Sequence, residues 1–301
     1  MTSLTIFAPS GAPSSIPPAR LAVRRLRALG FDARLDEAAL LRHQRFAGDD
    51  DSRLGALHRV AREAPSVAMA LRGGYGMTRL LDRVDWKLLA RSCERGTRWV
   101  GYSDVTALHL GLLAHTGSVS WAGPMATGDF GRAEADGGLD DVTVGCFQEA
   151  MSGELEAVGF RAPVGFDGLE TRGTLWGGNL AIVCAMLGTS HWPSVRGGVL
   201  FLEDVGEHPY RIERMLLQLH QAGVIARQKA VLLGTFTEWE KAPNDRGYGL
   251  KEAIEALRHR TSVPILTGLP FGHVRTRVTL PVGRRVTVAV TGRDAFVAWG
   301  R

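Results

Sequence analysis

Arg98-Trp99-Val100-Gly101-Tyr102-Ser103-Asp104-Val105-Thr106-Ala107-Leu108 decides the fold, because an apolar run stops at Ser103-Asp104 and a helical period starts at Val105 and lasts to Leu113. Working outward, the same grammar recurs. Leu4-Thr5-Ile6-Phe7-Ala8 breaks at Pro9-Ser10-Gly11 and gives way to an amphipathic stretch from about Pro18 to Leu29. Ser66-Val67-Ala68-Met69-Ala70-Leu71 breaks at Arg72-Gly73-Gly74-Tyr75-Gly76. Strand, loop and helix in repetition predict a parallel sheet flanked by helices. Ligands of such sheets gather at the C-terminal strand ends, where Pro9-Ser10-Gly11, Gly73-Gly74 and Ser103 would emerge.

Between about Gly128 and Gly173 the period weakens amid glycines and acidic residues, which reads as a linker. Beyond it lie Thr174-Leu175-Trp176-Gly177-Gly178-Asn179-Leu180 and a helical Ala181 to Leu187. A strand Val199 to Glu203, a helix Pro209 to Gln221, a strand Ala230 to Gly234 and a helix Leu250 to Arg258 follow. Val278 to Val282 and Arg285 to Val290, separated by Gly283-Arg284, read as a hairpin, so the second half should be mixed α/β with antiparallel strands at its end. The expected domains are 1–130 and 173–301, joined by a linker at 131–172. No internal repeat or low-complexity tract is evident.

Composition is ordinary for a globular chain of 301 residues, with 45% hydrophobic and 22% charged residues. The net charge of +5 is spread through every segment, so no nucleic-acid partner is expected. The tightest basic cluster, Arg20, Arg24, Arg25 and Arg27, has the spacing of a solvated helix face. Cys93, Cys146 and Cys184 are too few and too scattered for a disulfide framework. The first residues lack a signal-peptide pattern, and no apolar run reaches the roughly 20 residues of a bilayer span. A cytoplasmic location without membrane contact is the default expectation.

Ser103 is the first chemical candidate. A serine between a strand and a helix start can expose its hydroxyl where free amides favour developing negative charge. The match to the hydrolase elbow G-x-S-x-G stops at Val105, and a helix-capping serine is the competing reading. A hydroxyl needs a base, and a carboxylate-held histidine is the usual solution. His273 sits in the Gly/Pro-punctuated loop Gly268-Leu269-Pro270-Phe271-Gly272-His273, whereas His109 and His115 read as packing or surface residues and His208 stands at a helix start. Glu203 closes a buried strand and can orient an imidazole, with Asp204 as its competitor. Oxyanion donors would come from the Asp104 amide and from Gly73 or Gly74, where the lack of a Cβ allows close approach. A phosphate cradle at Arg72 to Gly76 lacks the Lys-Ser/Thr of a P-loop, and no metal motif is present.

Together, Ala8-Pro9-Ser10-Gly11, Arg72-Gly73-Gly74-Tyr75-Gly76 with Arg79-Leu80-Leu81, Gly101-Tyr102-Ser103-Asp104-Val105-Thr106-Ala107-Leu108, Gly177-Gly178-Asn179-Leu180, Leu202-Glu203-Asp204 and Gly268 to His273 resemble the LD-carboxypeptidases, over nearly the whole chain. The resemblance implies an N-terminal flavodoxin-like domain carrying the nucleophile and a C-terminal swivelling β/β/α domain carrying the other two triad residues. It implies a cofactor-free serine peptidase with the triad Ser103, Glu203 and His273, favouring Glu203 over Asp204. By the same mapping Asp104 with Gly73 or Gly74 forms the oxyanion hole, and Tyr75, Trp176 and Asn179 lie at the substrate. Its enzymes release the terminal D-alanine of murein tetrapeptides inside the cell, during peptidoglycan recycling, usually as homodimers. An exopeptidase must also grip a free carboxylate, and Arg72 is the candidate cation.

Two rival readings stand beside it. The microcin C immunity peptidases of the same family cleave a peptidyl-nucleotide with the same triad, although the Gly-Gly-Tyr-Gly turn leans towards the murein enzymes. A catalytically silent ligand-binding protein on an amidotransferase-like fold is the rival from another class.

Overall fold

The computed structural model describes residues 1–300. In chain order they form β1 (Thr2–Phe7), α1 (Pro17–Ala28), β2 (Phe31–Leu35), α2 (Asp50–Glu63), β3 (Val67–Ala70), α3 (Trp86–Glu94), β4 (Arg98–Gly101), α4 (Thr106–Thr116), β5 (Ser120–Ala122) and α5 (Asp141–Ser152). Then come β6 (Ala157–Arg161), β7 (Glu170–Asn179), α6 (Leu180–Met186), β8 (Gly198–Val205), α7 (Pro209–Gln221), β9 (Gln228–Thr237), α8 (Leu250–Arg258), β10 (Ile265–Thr267), β11 (Leu280–Val282), β12 (Arg285–Thr291) and β13 (Asp294–Ala298). They segregate into two units. The first comprises 1–154, 189–193 and 275–282, and the second 155–188, 194–274 and the C-terminal stretch from 283.

In the first unit the strands line up as β11-β5-β4-β3-β1-β2, all parallel except β11, which runs antiparallel to β5. The order β2-β1-β3-β4-β5 is that of a flavodoxin-like doubly wound sheet. Leu4, Ile6 and Phe7 in β1 and Val67 to Ala70 in β3 are fully buried, as strands covered on both faces must be. Helix α1 starts at Pro17-Pro18, which preset its first turn, and buries Ala19, Ala22 and Leu26. Of its arginines, Arg20, Arg24 and Arg27 are exposed, while Arg25 donates to the carbonyls of Phe130 and Arg132. Residues 131–172 hold α5, which belongs to the first unit, then β6 and the start of β7, which belong to the second.

The second unit's sheet runs β10-β9-β8-β7-β12-β13-β6. Its β7 to β10 half is parallel and its β12-β13-β6 half antiparallel. The chain is thus mixed α/β, as its sequence pattern indicates. The expected hairpin of Val278–Val282 with Arg285–Val290 is corrected. Leu280, Pro281 and Val282 pair with Ala122, Trp121 and Ser120 in the first unit, while β12 pairs with β7 and β13 in the second. The two apolar runs satisfy their backbones in different sheets, and Gly283 (φ +95°) marks the crossing rather than a hairpin turn.

Candidate active site

Three loops at the C-terminal ends of β1, β3 and β4 meet around Ser103. Its φ is +62°, in the left-handed region that a residue with a Cβ seldom occupies, at a cost of about 1–3 kcal/mol. Gly101 makes the turn sterically possible, because a Cβ there would lie 2.9 Å from Val105 Cγ1 and 3.1 Å from Ala70 Cβ. Ser103 does not cap a helix. The helical turn Ser103–Val105 follows Tyr102 without a side-chain cap, and α4 likewise begins uncapped after Val105. The side chain is therefore left partly exposed on a strained turn at the head of a buried helix.

Gly73 lies against this turn. A Cβ built on it would fall 2.8 Å from both Cβ and Oγ of Ser103 and 3.4 Å from the Asp104 amide nitrogen. Gly74 occupies φ +106°, and the Gly73 carbonyl accepts from the Gly11 N–H at 3.1 Å, tying the first loop to the second. Arg72 donates to the Ala12 carbonyl at 3.0 Å, and its guanidinium borders Gly11 and Gly74. Tyr75 is 43% exposed, tilted against Phe46 with Arg45 over its ring. Asp104 is buried, and burial pushes its carboxyl above the usual carboxylate range. His109 is also buried. Its Nε2 meets the Gly101 carbonyl at 2.9 Å, clasping the two ends of the Ser103 turn, and burial lowers its pKa to about 4. His115 is exposed and stacks on Trp86.

In the second unit Glu203, in β8, is 0% exposed, and its Oε2 lies 2.8 Å from Nδ1 of His273, whose side chain is 19% exposed. Two glycines make this approach possible. A Cβ on Gly272 (φ +138°) would lie 2.8 Å from the Thr235 carbonyl oxygen and 3.3 Å from Glu203 Oε2, and one on Gly234 would meet the Phe271 carbonyl at 2.3 Å. Asn179 bridges the two acids, donating to Glu203 Oε1 at 3.3 Å and to Asp204 Oδ1 at 2.8 Å, while its own oxygen caps α6 through the Ile182 N–H. Asp204 does not meet the histidine. It accepts from the Ala181 N–H at 2.9 Å at the start of α6, and burial raises its pKa to about 6. Trp176 is 1% exposed, with its indole N–H on Gln228. His208 caps α7 and pairs with Asp245.

The structure therefore brings Glu203, His273 and Asn179 together in one unit, and Ser103, Asp104, Gly73, Gly74 and Arg72 together in the other. Among the described residues no group of three or more His, Cys, Asp or Glu side chains is arranged to hold a metal ion, and no helix is long and apolar enough to cross a membrane. The three cysteines are unpaired. Sequence reasoning missed Gly234, whose only signal is a glycine closing an apolar strand, and Arg53, which looks like any charged helix residue yet is fully buried.

The sequence profile of the LD-carboxypeptidase N-terminal domain matches residues 4–123, and that of the LD-carboxypeptidase C-terminal domain matches residues 172–288. The chain belongs to the LD-carboxypeptidase family. It is accordingly an enzyme of the hydrolase class. Among its relatives, a probable murein peptide carboxypeptidase of Bacillus subtilis is 31% identical across 96% of this chain and 90% of its own length. The murein tetrapeptide carboxypeptidase of Pseudomonas aeruginosa is 32% identical across 87% of this chain and 85% of its own. The crystal structure of the muramoyltetrapeptide carboxypeptidase from Oxalobacter formigenes superposes with a TM-score of 0.90, at 38% identity, over 100% of this chain and 99% of that one. The microcin C7 self-immunity protein in complex with aspartyl sulfamoyl adenosine shares the fold, with a TM-score of 0.85 over 99% of this chain and 96% of that one, at 20% identity.

Proposed function

We propose that this LD-carboxypeptidase is a serine exopeptidase that hydrolyses the L–D peptide bond before the terminal D-alanine of murein tetrapeptides. On this reading it works in the cytoplasm, during peptidoglycan recycling, as a homodimer that needs no cofactor. The names of its full-length relatives support the substrate class. The observation that carries the chemistry is the Glu203–His273 pair, a wholly buried carboxylate oriented on the Nδ1 of a partly exposed imidazole. A carboxylate so placed fixes the ring's tautomer and stabilises the imidazolium formed when Nε2 takes a proton.

His273 Nε2 removes the Ser103 proton as Oγ attacks the carbonyl carbon of the residue preceding D-alanine. The amides of Asp104 and of the Gly73-Gly74 turn receive the oxyanion. His273 then protonates the departing amine, and water, deprotonated by the same imidazole, cleaves the acyl-enzyme. Arg72 and Tyr75 meet the substrate from the β3 loop, with Arg72 on its terminal carboxylate; Trp176 and Asn179, expected at the substrate, are buried, with Trp176 bonded to Gln228 and Asn179 to Glu203. The bulk of rate enhancement in such a site vanishes with the nucleophile, so Ser103→Ala should lower kcat by roughly a million-fold. The assay follows D-alanine release from a defined murein tetrapeptide, with a peptidyl-adenylate analogue in parallel. Near-normal turnover in Ser103→Ala would end the serine reading, and faster cleavage of the analogue would redirect the substrate assignment.

A further inference from the structure

One carboxylate oxygen joins all three loops around Ser103. Asp104 Oδ2 accepts from the Ser10 hydroxyl at 2.6 Å, on the loop after β1, and from the Met77 N–H at 2.8 Å, on the loop after β3. Asp104 itself follows Ser103 on the loop after β4, and is 1% exposed while Ser10 is 0% exposed. The other carboxylate oxygen, Oδ1, is buried without a hydrogen-bond partner. Beneath them Arg53, 0% exposed, donates to the Pro9 carbonyl at 2.7 Å and the Gly76 carbonyl at 2.8 Å, fastening the first two loops again from below.

This is an expensive arrangement in stability terms, since a carboxylate taken out of water with half its acceptors unused is disfavoured. Burial accordingly raises the Asp104 pKa. A surface turn needs no such device, but a left-handed serine does: the Ser103 carbonyl accepts from the Thr106 N–H, yet its side chain makes no bond among the described residues that would hold the strained φ. We propose that the Asp104 side chain, acting through Ser10 and Met77, is a positioning residue that holds Ser103 in its strained conformation and fixes the direction of the Asp104 backbone N–H. The inference rests on the serine reading above and assigns a side chain where that reading uses only an amide.

The test uses the full chain with Ser10→Ala and Asp104→Ala. Active sites are counted by labelling Ser103 with a fluorophosphonate, so that kcat is expressed per competent site. Misplacement of a reacting atom by about 1 Å costs on the order of a hundredfold, so Asp104→Ala, which removes the acceptor of both bonds, should lose about a hundredfold in kcat per site and Ser10→Ala about tenfold. KM should stay within about twofold for both, and the phosphonylation rate should fall in parallel, because the same misaligned hydroxyl performs both reactions. A fall in melting temperature with kcat per site and phosphonylation rate unchanged would overturn the proposal and make the carboxylate a structural prop. Should Asp104→Ala fail to fold, Ser10→Ala decides alone, since it removes one hydroxyl and leaves the carboxylate in place. Failure of the serine reading looks different, as turnover that survives Ser103→Ala. A dead Ser103→Ala beside Ser10→Ala and Asp104→Ala at wild-type kcat per site would sink only the present inference.

Discussion

The two units hold their reactive side chains by opposite means. Around Ser103 the backbone itself is forced, at φ +62°, and three loops are fastened together so that a small hydroxyl stays in view. Around Glu203 the acid's own backbone is not left-handed, although the β8–β9 register slips between Leu202 and Asp204, and the side chain is held by burial, with glycines at 234 and 272 letting the neighbouring chain close over it. The difference follows from the jobs. A nucleophile must be reached by substrate, so packing cannot hold it and main-chain geometry has to. An orienting carboxylate works best away from water, so packing can do everything.

The largest test of this contrast lies in the second unit. Glu203→Gln keeps the shape but offers an amide to an imidazole N–H, which in a triad costs roughly a thousand- to ten-thousand-fold in kcat through the wrong tautomer. D-alanine release should drop by that range with substrate affinity nearly intact. A loss below tenfold would mean that something other than Glu203 orients His273.

A matched pair of glycine substitutions sharpens the comparison at smaller amplitude. Gly73→Ala places a methyl 2.8 Å from Ser103 Oγ at a residue whose own φ is not left-handed, so it should disturb the nucleophile and little else. The expectation is a fall of about a hundredfold in kcat with melting temperature nearly unchanged. Gly272→Ala meets both a left-handed φ of +138° and the Thr235 carbonyl, so unfolding in urea should show a loss of about 1–3 kcal/mol before activity per folded molecule is considered. If both variants lost stability equally, the two units would not differ in the way described.

Much of this was legible in the residues. Alternating apolar runs and helical periods give the doubly wound first sheet, and Pro209 to Gln221 and Leu250 to Arg258 read as the helices they are. Ser103, Glu203 and His273 each stand at a strand end or in a glycine loop, which marks them as candidates. What stayed hidden is whatever depends on contacts distant in sequence. Leu280 to Val282 looks like half of a hairpin because its neighbour is an adjacent apolar run, yet its hydrogen bonds are made with residues 120–122. Asp104 offers a sequence reader only its position after a serine, and its side-chain partners lie 94 and 27 residues away. Arg53 carries no sequence signal of its burial, since its acceptors are carbonyls of other loops.

An effect of pH is expected as well, and it has opposite signs in the two units. His109 clasps the Ser103 turn as a neutral ring, its folded pKa lowered by burial to about 4. Its contribution is complete above the unfolded value near 6.5 and is lost as pH falls from there towards 4, by up to about 3 kcal/mol. Asp204, at the head of α6, has a folded pKa raised to about 6, so the folded form binds its proton more tightly than the unfolded chain and gains stability as pH falls from 6 towards 4. Urea unfolding at pH 7, 5.5 and 4.5 should therefore show His109→Gln, whose amide can still reach the Gly101 carbonyl but cannot be protonated, losing less stability on acidification than the parent. Asp204→Asn, less stable at neutral pH for want of an acceptor, should lose more on acidification than the parent. Parallel curves for all three proteins would mean that neither group's folded pKa departs from its unfolded value, and that acid reaches both units by the same route.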